Sequence, residues 1–230
     1  MPAFPLFKKW FRLKSLVLLV SLLALILFSG SQPDISDPFI SGVMWSSNLG
    51  VFCLGGVLLA SNRFWLKLFG GLCVPVVVLG VLSEIMPENI AILFASRWMV
   101  LLLQSLMLAT VVRFSLEGKT SNQTDRLLAG ICGYLILGTL WANLYGICQL
   151  SGAGYFVTSA GEKATDENGA LLYYSFVTMS TLGYGDITAT TSFTRILSAL
   201  EAICGTLYLG IFISTLIPRH MAPPASDSDK

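Results

Sequence analysis

The stretch Thr178-Met179-Ser180-Thr181-Leu182-Gly183-Tyr184-Gly185-Asp186 decides the fold of this chain. It lies between a short apolar and aromatic run, Leu171 to Val177, and a long apolar run, Ser192 to Ile217. A glycine-tyrosine-glycine triplet by itself is ordinary turn chemistry. Between two hydrophobic segments, however, irregular backbone is tolerated only where it lines a cavity or is buried in protein. The stretch is therefore predicted to be irregular backbone within a membrane protein.

The residue types in this stretch suit the binding of a bare cation. Gly183 and Gly185 reach backbone angles that other residues avoid. Left- and right-handed conformations in alternation can direct successive carbonyls to one side. Thr181 adds a hydroxyl in line with those carbonyls, and rings of such oxygens replace the water shell of an ion. We expect Tyr184 to point away from the pore and Asp186 to leave a carboxylate at its mouth.

The segment Thr181-Leu182-Gly183-Tyr184-Gly185-Asp186 resembles the selectivity filter of the potassium channel family. Carbonyl coordination is an established property of that family, so the resemblance carries this mechanism over. The match is specific over Val177 to Asp186, and Leu127 to Ile217 is more loosely similar to the family's two-helix pore module. The resemblance implies that K⁺ is coordinated by the oxygens of Thr181 to Gly185, with Thr181 to Tyr184 as the metal ligands.

Support for the filter is also implied by the resemblance, with some departures from the family pattern. The supporting residues are Tyr173, Tyr174, Thr178 and Asp186. The two tyrosines stand where many members carry tryptophans, which predicts a looser aromatic cuff around the filter. Leu182 replaces the usual valine and Ser180 the usual threonine, and both changes are mild.

Composition predicts an integral membrane protein. The 230 residues are 54% hydrophobic and only 12% charged, and the mean hydropathy is +0.74, whereas soluble domains are roughly 25% charged. The net charge of +1 and the lack of a basic patch give no sign of a nucleic-acid partner. The cysteines show no metal-ligand spacing and are interpreted as small buried hydrophobes rather than a disulfide framework; they are Cys53, Cys73, Cys132, Cys148 and Cys204.

Six membrane spans are predicted from the apolar runs, at about 15–28, 43–60, 64–83, 90–112, 127–150 and 192–217. The first run also resembles a signal peptide, but no cleavage signal is clear, so the transmembrane alternative is favoured. Pro75 is expected to kink the third span, and Pro218 to stop the last helix. The domains are a cytoplasmic N-terminus (1–14), a four-helix membrane domain (15–113), a cytoplasmic linker (114–126), a pore domain (127–218) and a cytoplasmic tail (219–230).

The distribution of lysine and arginine predicts the orientation. Basic segments alternate with acidic ones, so both termini are expected in the cytoplasm of a multi-pass protein of the plasma or bacterial inner membrane. The filter then enters the membrane from outside. Leu171 to Met179 is too short to span and suits a half-helix, whose negative dipole end favours a cation.

The last span carries the candidate gate. Gly205 resembles the family's hinge glycine by its distance from the filter, and Gly210 is a second candidate. Close packing between helices is an equally good explanation of a glycine here. Ile213 and Ile217 share a face with Gly205, which predicts a hydrophobic constriction.

Acidic residues suggest two further roles. Glu201 is the one carboxylate within an apolar span, and such a residue is a functional candidate. The alternative, which we favour, is a protonated or hydrogen-bonded brace behind the filter. Glu162, Asp166 and Glu167 lie near the predicted outer mouth, where they would either concentrate cations or simply be solvated.

Four spans before a pore module resemble the layout of voltage-gated channels, but the sensor pattern is missing. Arg97 is followed at every third position by apolar residues: Val100, Leu103, Leu106, Ala109 and Val112. We expect Arg97 to extend outward to Glu84 or Glu88.

The sequence therefore predicts an all-α membrane protein with six transmembrane helices, a re-entrant pore helix and a selectivity filter. Since one chain supplies one filter strand, we expect a homotetramer in the lipid bilayer. The predicted function is a potassium-selective channel with little or no voltage gating. It would perform no bond chemistry and need no cofactor beyond the permeant K⁺. The alternatives are a weakly selective cation channel and a non-conducting regulatory membrane subunit.

Overall fold

The computed structural model describes residues 14–30, 63–116, 123–164 and 169–221. The predicted second span, at 43–60, lies outside these ranges, as do most of both predicted cytoplasmic ends.

Six helices hold most of the described residues. They are α1 (Lys14–Gly30), α2 (Arg63–Ile85), α3 (Ile90–Leu116), α4 (Gln123–Leu150), α5 (Ala170–Met179) and α6 (Ser192–Met221). The predicted runs at 15–28, 64–83, 90–112, 127–150 and 192–217 each fall within one of these helices. The apolar runs therefore identified the helices correctly wherever the chain is described.

Among the described residues, three helices are long and apolar enough to cross a membrane. They cover Ile90–Leu116, Thr124–Leu150 and Ser192–Phe212. The first two have 27 residues each, and 27 residues of α-helix extend about 40 Å against a hydrocarbon core of about 30 Å. The apolar parts of α1, α2 and α5 are shorter. The described residues thus form a mostly helical membrane protein.

Helix α3 begins at a side-chain cap. Asn89 Oδ1 accepts hydrogen bonds from the backbone amides of Ala91 at 3.2 Å and Ile92 at 3.3 Å. These amides have no partner within the helix, so the asparagine fixes where α3 starts. The connection between α2 and α3 ends at this cap.

The two prolines within predicted spans both lie inside helices. Pro75 is within α2, and the kink expected there stays a prediction. The expectation that Pro218 stops the last helix is wrong, because α6 continues to Met221. Proline removes one amide donor, but its fixed φ is helical, so a helix can finish its last turn beyond it.

A short antiparallel sheet lies outside the helices and was not predicted. Strand β1 (Phe156–Thr158) pairs with β2 (Ile187–Ala189), with Val157 opposite Thr188. Both strands are rich in β-branched residues, which favour strands, but three residues are too short to show an alternating pattern. The sheet fastens the segment before α5 to the segment after the predicted filter.

Helix α4 contributes buried side chains to two apolar clusters. The first joins it to α1, α2 and α3 through buried side chains that include Leu18, Phe69, Leu103, Met107 and Ile136. The second joins it to β1 and α5 through Trp141, Tyr145, Phe156, Leu171 and Tyr174. In the most apolar 18 residues of α4, 56% of the residues are buried, against 17% in the corresponding part of α6. Most of α6 is therefore left for lipid or another chain to cover.

Two charged residues at the start of α4 hold the ends of two other helices. Asp125 Oδ1 accepts a hydrogen bond from the amide of Ser15 at 2.9 Å, at the start of α1. Arg126 donates through Nε and Nη2 to the carbonyl of Ser115, near the end of α3, at 2.9 and 2.7 Å. An acid at a helix N-terminus and a base at a C-terminus both complement the helix dipole. These three helix ends therefore meet on one side of the bundle.

The cysteines differ from expectation in two respects, the exposure of Cys204 and the bonding of Cys73. Cys132 and Cys148 are buried free thiols and Cys204 is an exposed one, but Cys73 is disulfide-bonded. Cys53 lies outside the described residues. Disulfide bonding depends on how closely the fold brings two Cα atoms together, which spacing along the chain does not reveal. Among the described residues, no group of three or more His, Cys, Asp and Glu side chains is placed to hold a metal ion.

Candidate functional site

The chain leaves α5 in a turn that stays bonded to the helix. The amide of Thr181 donates to the carbonyl of Thr178 at 3.0 Å. The amides of Leu182 and Gly183 both donate to the carbonyl of Val177, at 3.0 and 3.4 Å. These bonds use carbonyls of the last helical turn that would otherwise lack a partner. The first residues of the predicted filter are thus held at the negative end of the α5 dipole.

Beyond this turn the backbone alternates in handedness. The φ angles of Thr181, Gly183 and Gly185 are +60°, +55° and +76°, whereas Leu182 and Tyr184 do not have positive φ. A threonine at positive φ is strained, because its branched Cβ crowds the backbone. The sequence predicted that left- and right-handed conformations would alternate here, since this alternation can direct successive carbonyls to one side.

In this segment, glycine is required because of the positive backbone φ and not because neighbouring atoms leave no room for a side chain. A Cβ built on Gly183 or Gly185 would meet no atom of the chain within 4 Å. The segment 180–185 is exposed in the single chain, with Leu182 at 58% and Tyr184 at 66% of full exposure. The groups that cover the exposed side of this segment must therefore come from outside this chain.

Asp186 fixes the end of the segment through three bonds. Its Oδ2 accepts a hydrogen bond from the hydroxyl of Tyr173 at 2.7 Å, and its Oδ1 accepts one from the amide of Ile187 at 3.1 Å. Its carbonyl accepts the amide of Ser159 at 2.7 Å. The residue thus ties the segment both to α5 and to the loop after β1.

The two adjacent tyrosines of α5 point to different partners. Tyr173 is 42% exposed and reaches Asp186. Tyr174 is buried, and its hydroxyl donates to Ser198 Oγ on α6 at 2.8 Å. Its ring packs against those of Tyr145 and Phe156, with centroids 5.4 and 4.8 Å apart. Only Tyr173 contacts the predicted filter, while Tyr174 joins α5 to α6.

The two candidate hinge glycines have opposite surroundings. A Cβ on Gly205 would lie 2.4 Å from Met179 Cγ and 2.6 Å from the Met179 carbonyl oxygen. A Cβ on Gly210 would meet nothing within 4 Å. Because Gly205 has no side chain, α6 can pass directly beside the last residue of α5. This contact favours close packing between helices as the reason for a glycine at this position.

Glu201 lies in a buried polar cluster. It is fully buried on α6, and its two oxygens contact the hydroxyls of Tyr145 on α4 and Ser175 on α5. Ser175 also contacts the carbonyl of Gly138 on α4 at 2.8 Å. The only carboxylate predicted within an apolar span is thus the point where three helices meet.

Other predicted residues are less fully described. The side chains of Ile213 and Ile217 lie outside the described part, although both positions belong to α6. Glu162 is exposed, while Asp166 and Glu167 fall within the gap at 165–168. Thr178 is half-buried, and its carbonyl holds the turn after α5.

Several structural residues were not found from the sequence. Ser175, Tyr145 and Ser198 carry the polar contacts among α4, α5 and α6. Hydroxyl residues at one-turn spacing from Glu201 on its own helix were the available signal, since Ser198 lies on the same face. Asp125 and Arg126 were assigned to a linker, although both are buried in the first turn of α4.

Comparison with known families supports an ion channel. A family model described as "Ion channel" matches residues 130–219, which include about three quarters of α4, nearly all of α6 and the whole segment between them. No curated protein and no solved structure matches the chain. Together with the three long apolar helices, the matched residues support an ion channel within a multi-pass membrane protein.

Proposed function

We propose that this chain forms a potassium-selective channel whose filter is built from Thr181, Leu182, Gly183, Tyr184 and Gly185. The observation that carries the proposal is the alternation of φ along Thr181–Gly185 at the end of a short helix. Carbonyls directed to one side by such a backbone would replace the hydration shell of K⁺.

The position of α5 favours a cation in the same place. Its ten residues extend about 15 Å, roughly half of the hydrocarbon core. A helix of this length that enters from one surface ends near the middle of the membrane. Its C-terminal dipole, which carries about half of an elementary negative charge, stabilises a cation there.

The proposed assembly is a homotetramer with six spans in each chain and both termini in the cytoplasm. One chain supplies one filter strand, and the exposed segment 180–185 and the sparsely covered α6 leave surface for further copies. The lysine and arginine bias supports the orientation. The gate at Ile213 and Ile217 stays a prediction.

Weak voltage dependence is also part of the proposal. Arg97 is the only arginine of α3 before its last turn, where Arg113 lies. One unit charge that crosses the whole field contributes about 2.3 kcal/mol per 100 mV, and strongly gated channels move three to four such charges per subunit. A single arginine in each of four chains would supply at most ~9 kcal/mol per 100 mV.

Ion flux into liposomes that contain the purified full chain tests this function. Uptake of K⁺ without matching uptake of Na⁺ supports a potassium channel. Equal uptake of both ions would instead establish the weakly selective cation channel. The absence of flux from correctly assembled protein would favour the non-conducting subunit.

A further inference from the structure

The cluster around Glu201 contains more acceptors than hydroxyl hydrogens, and this imbalance has a chemical consequence. Ser175 Oγ lies 2.5 Å from Glu201 Oε1 and 2.8 Å from the carbonyl oxygen of Gly138. Tyr145 donates its hydroxyl to the other carboxyl oxygen, Oε2. Ser175 has a single hydroxyl hydrogen, while the Gly138 carbonyl can only accept. One hydrogen cannot serve both of the close contacts that Ser175 makes.

A proton on Glu201 supplies the missing hydrogen. The acid then donates from Oε1 to Ser175, Ser175 donates to Gly138, and Tyr145 donates to Oε2. Each hydroxyl hydrogen is used once and each short contact contains one hydrogen. The contacts thus form a continuous chain from α4 through α6 to α5 and back to α4.

The electrostatic surroundings also favour the neutral acid. Glu201, Ser175 and Tyr145 are all fully buried. No lysine or arginine among the described residues forms an ion pair with Glu201, whose polar partners are two hydroxyls. A buried carboxylate without a cation is costly, and groups in this situation tend to take up a proton.

The same cluster belongs to a line of contacts that sets the position of α5 against α6. Ser175 meets Glu201, and one turn further along both helices Met179 meets Gly205. Because residues four apart lie on one helix face, these two contacts are successive points of one seam. Met179 is the last residue of α5, so this seam determines where the predicted filter begins.

We infer that Glu201 is a neutral carboxylic acid and a positioning residue, which holds α5 at a fixed depth between α4 and α6. Its proton completes the bond chain to Gly138, and its contact with Ser175 keeps the turn after α5 in register with the corresponding turns of other copies. The functional part of this inference rests on the proposed channel function. The protonation itself does not.

Infrared spectroscopy tests the protonation without any need for ion flux. We expect the purified full chain to show the carbonyl stretch of a protonated carboxylic acid at neutral pH, and Glu201→Gln to lose it. If the whole infrared signal of Glu201 is instead the stretch of an ionised carboxylate, the inference is overturned. Failure of the liposome assay leaves this spectrum interpretable, so the two proposals can fail separately.

Two substitutions at the same position test the positioning role. Glutamine keeps one donor and one acceptor at the carboxyl positions without a charge. We therefore expect Glu201→Gln to keep the preference for K⁺ over Na⁺. Glu201→Ala removes the carboxyl acceptor of the Tyr145 hydroxyl in the core, and we expect K⁺ flux to fall by on the order of tenfold, which corresponds to one lost buried bond. Equal loss in both variants would mean that an ionised carboxylate is needed and would overturn the inference.

Removal of the hydroxyl partner separates positioning from general stability. Ser175→Ala should lower K⁺ selectivity in tetramers that still assemble. Ser105→Ala is the matched control, because the Ser105 hydroxyl is exposed and donates to the Leu101 carbonyl of its own helix at 2.7 Å. The selectivity of the control should equal that of the parent chain. A selective Ser175→Ala channel would contradict the positioning role.

Discussion

The peripheral helices and the elements around the predicted filter are held together by different kinds of contact. Helices α1 and α3 pack against α4, and α2 packs against α3, through leucine, valine, methionine and phenylalanine side chains. Helix α5 also packs against α4 through an apolar cluster, but it is in addition fastened to α4 and α6 by buried hydroxyls, a carboxyl group and a glycine contact with backbone. Apolar cores tolerate substitutions that keep volume and pattern, whereas hydrogen bonds depend on direction as well as distance.

This difference indicates where the geometry of the chain must be exact to a fraction of an ångström. Around α5, a displaced helix would break several buried bonds at once, and each unpaired polar group costs about 1–3 kcal/mol. In the peripheral helices, a similar displacement exchanges one apolar contact for another. Their polar connections to α4 include those of Asp125 and Arg126 at helix ends and the bond from Asn143 to the Arg97 carbonyl. Substitutions near α5 should therefore alter function strongly, and substitutions in the periphery weakly.

The largest effect is expected from Gly183→Ala. Alanine at a φ of +55° is strained by about 1–2 kcal/mol, and relief of that strain would turn a proposed ligand carbonyl away from the ion path. K⁺ selectivity should be lost while the tetramer still assembles. Gly152→Ala is the matched control, because Gly152 also has positive φ and open space around it, but lies in the loop after α4. If both variants keep the selectivity of the parent chain, Gly183 is not part of the filter.

An intermediate effect is expected from Gly205→Ala. The added methyl group would lie 2.6 Å from the Met179 carbonyl oxygen, which belongs to backbone and cannot rotate away. Overpacking of this kind costs about 1–3 kcal/mol, so thermal stability of the assembled protein and K⁺ flux should both fall.

Gly210→Ala is the control on the same helix. Its methyl group meets nothing within 4 Å, and alanine is the better helix former by about 1 kcal/mol. We expect equal or higher stability. If the Gly205→Ala protein is as stable as the Gly210→Ala protein, the close contact does not explain Gly205, and the hinge explanation is favoured instead.

The smallest functional effect is expected from Arg97→Gln in the periphery. The backbone carbonyl of Arg97 accepts a hydrogen bond from Asn143 at 3.0 Å, and this contact between α3 and α4 does not depend on the arginine side chain. Open probability in planar bilayers should vary little with voltage both before and after the substitution, while stability falls slightly. Arg113→Gln removes a charge from the last turn of the same helix and serves as the control. A steep conductance-voltage curve that Arg97→Gln abolishes would establish a voltage sensor.

The sequence predicted those features that depend on neighbouring residues. Apolar runs located the helices because burial in a bilayer requires about 20 apolar residues in succession. Alternating glycines predicted positive φ at Gly183 and Gly185, which the backbone adopts. Positive φ at Thr181 was not specified by residue type, because threonine disfavours that region.

Contacts between distant residues could not be predicted in the same way. Glu201 was identified as unusual, but its partners Ser175 and Tyr145 are 26 and 56 residues away in sequence. Their meeting depends on how three helices cross. The same reason applies to the pairing of β1 with β2 and to the bonds that Asp125 and Arg126 make with other helices. The sequence shows that a buried polar residue needs a partner, and only the packing shows which one.

The reversal potential of the purified full chain tests potassium selectivity most directly. It is measured in a planar bilayer with K⁺ on one side and Na⁺ at equal concentration on the other. We predict a reversal potential displaced strongly toward the value for a membrane permeable to K⁺ alone, and a shift toward zero in Gly183→Ala but not in Gly152→Ala. A reversal potential near zero for the unmodified chain would contradict a potassium-selective filter at Thr181–Gly185.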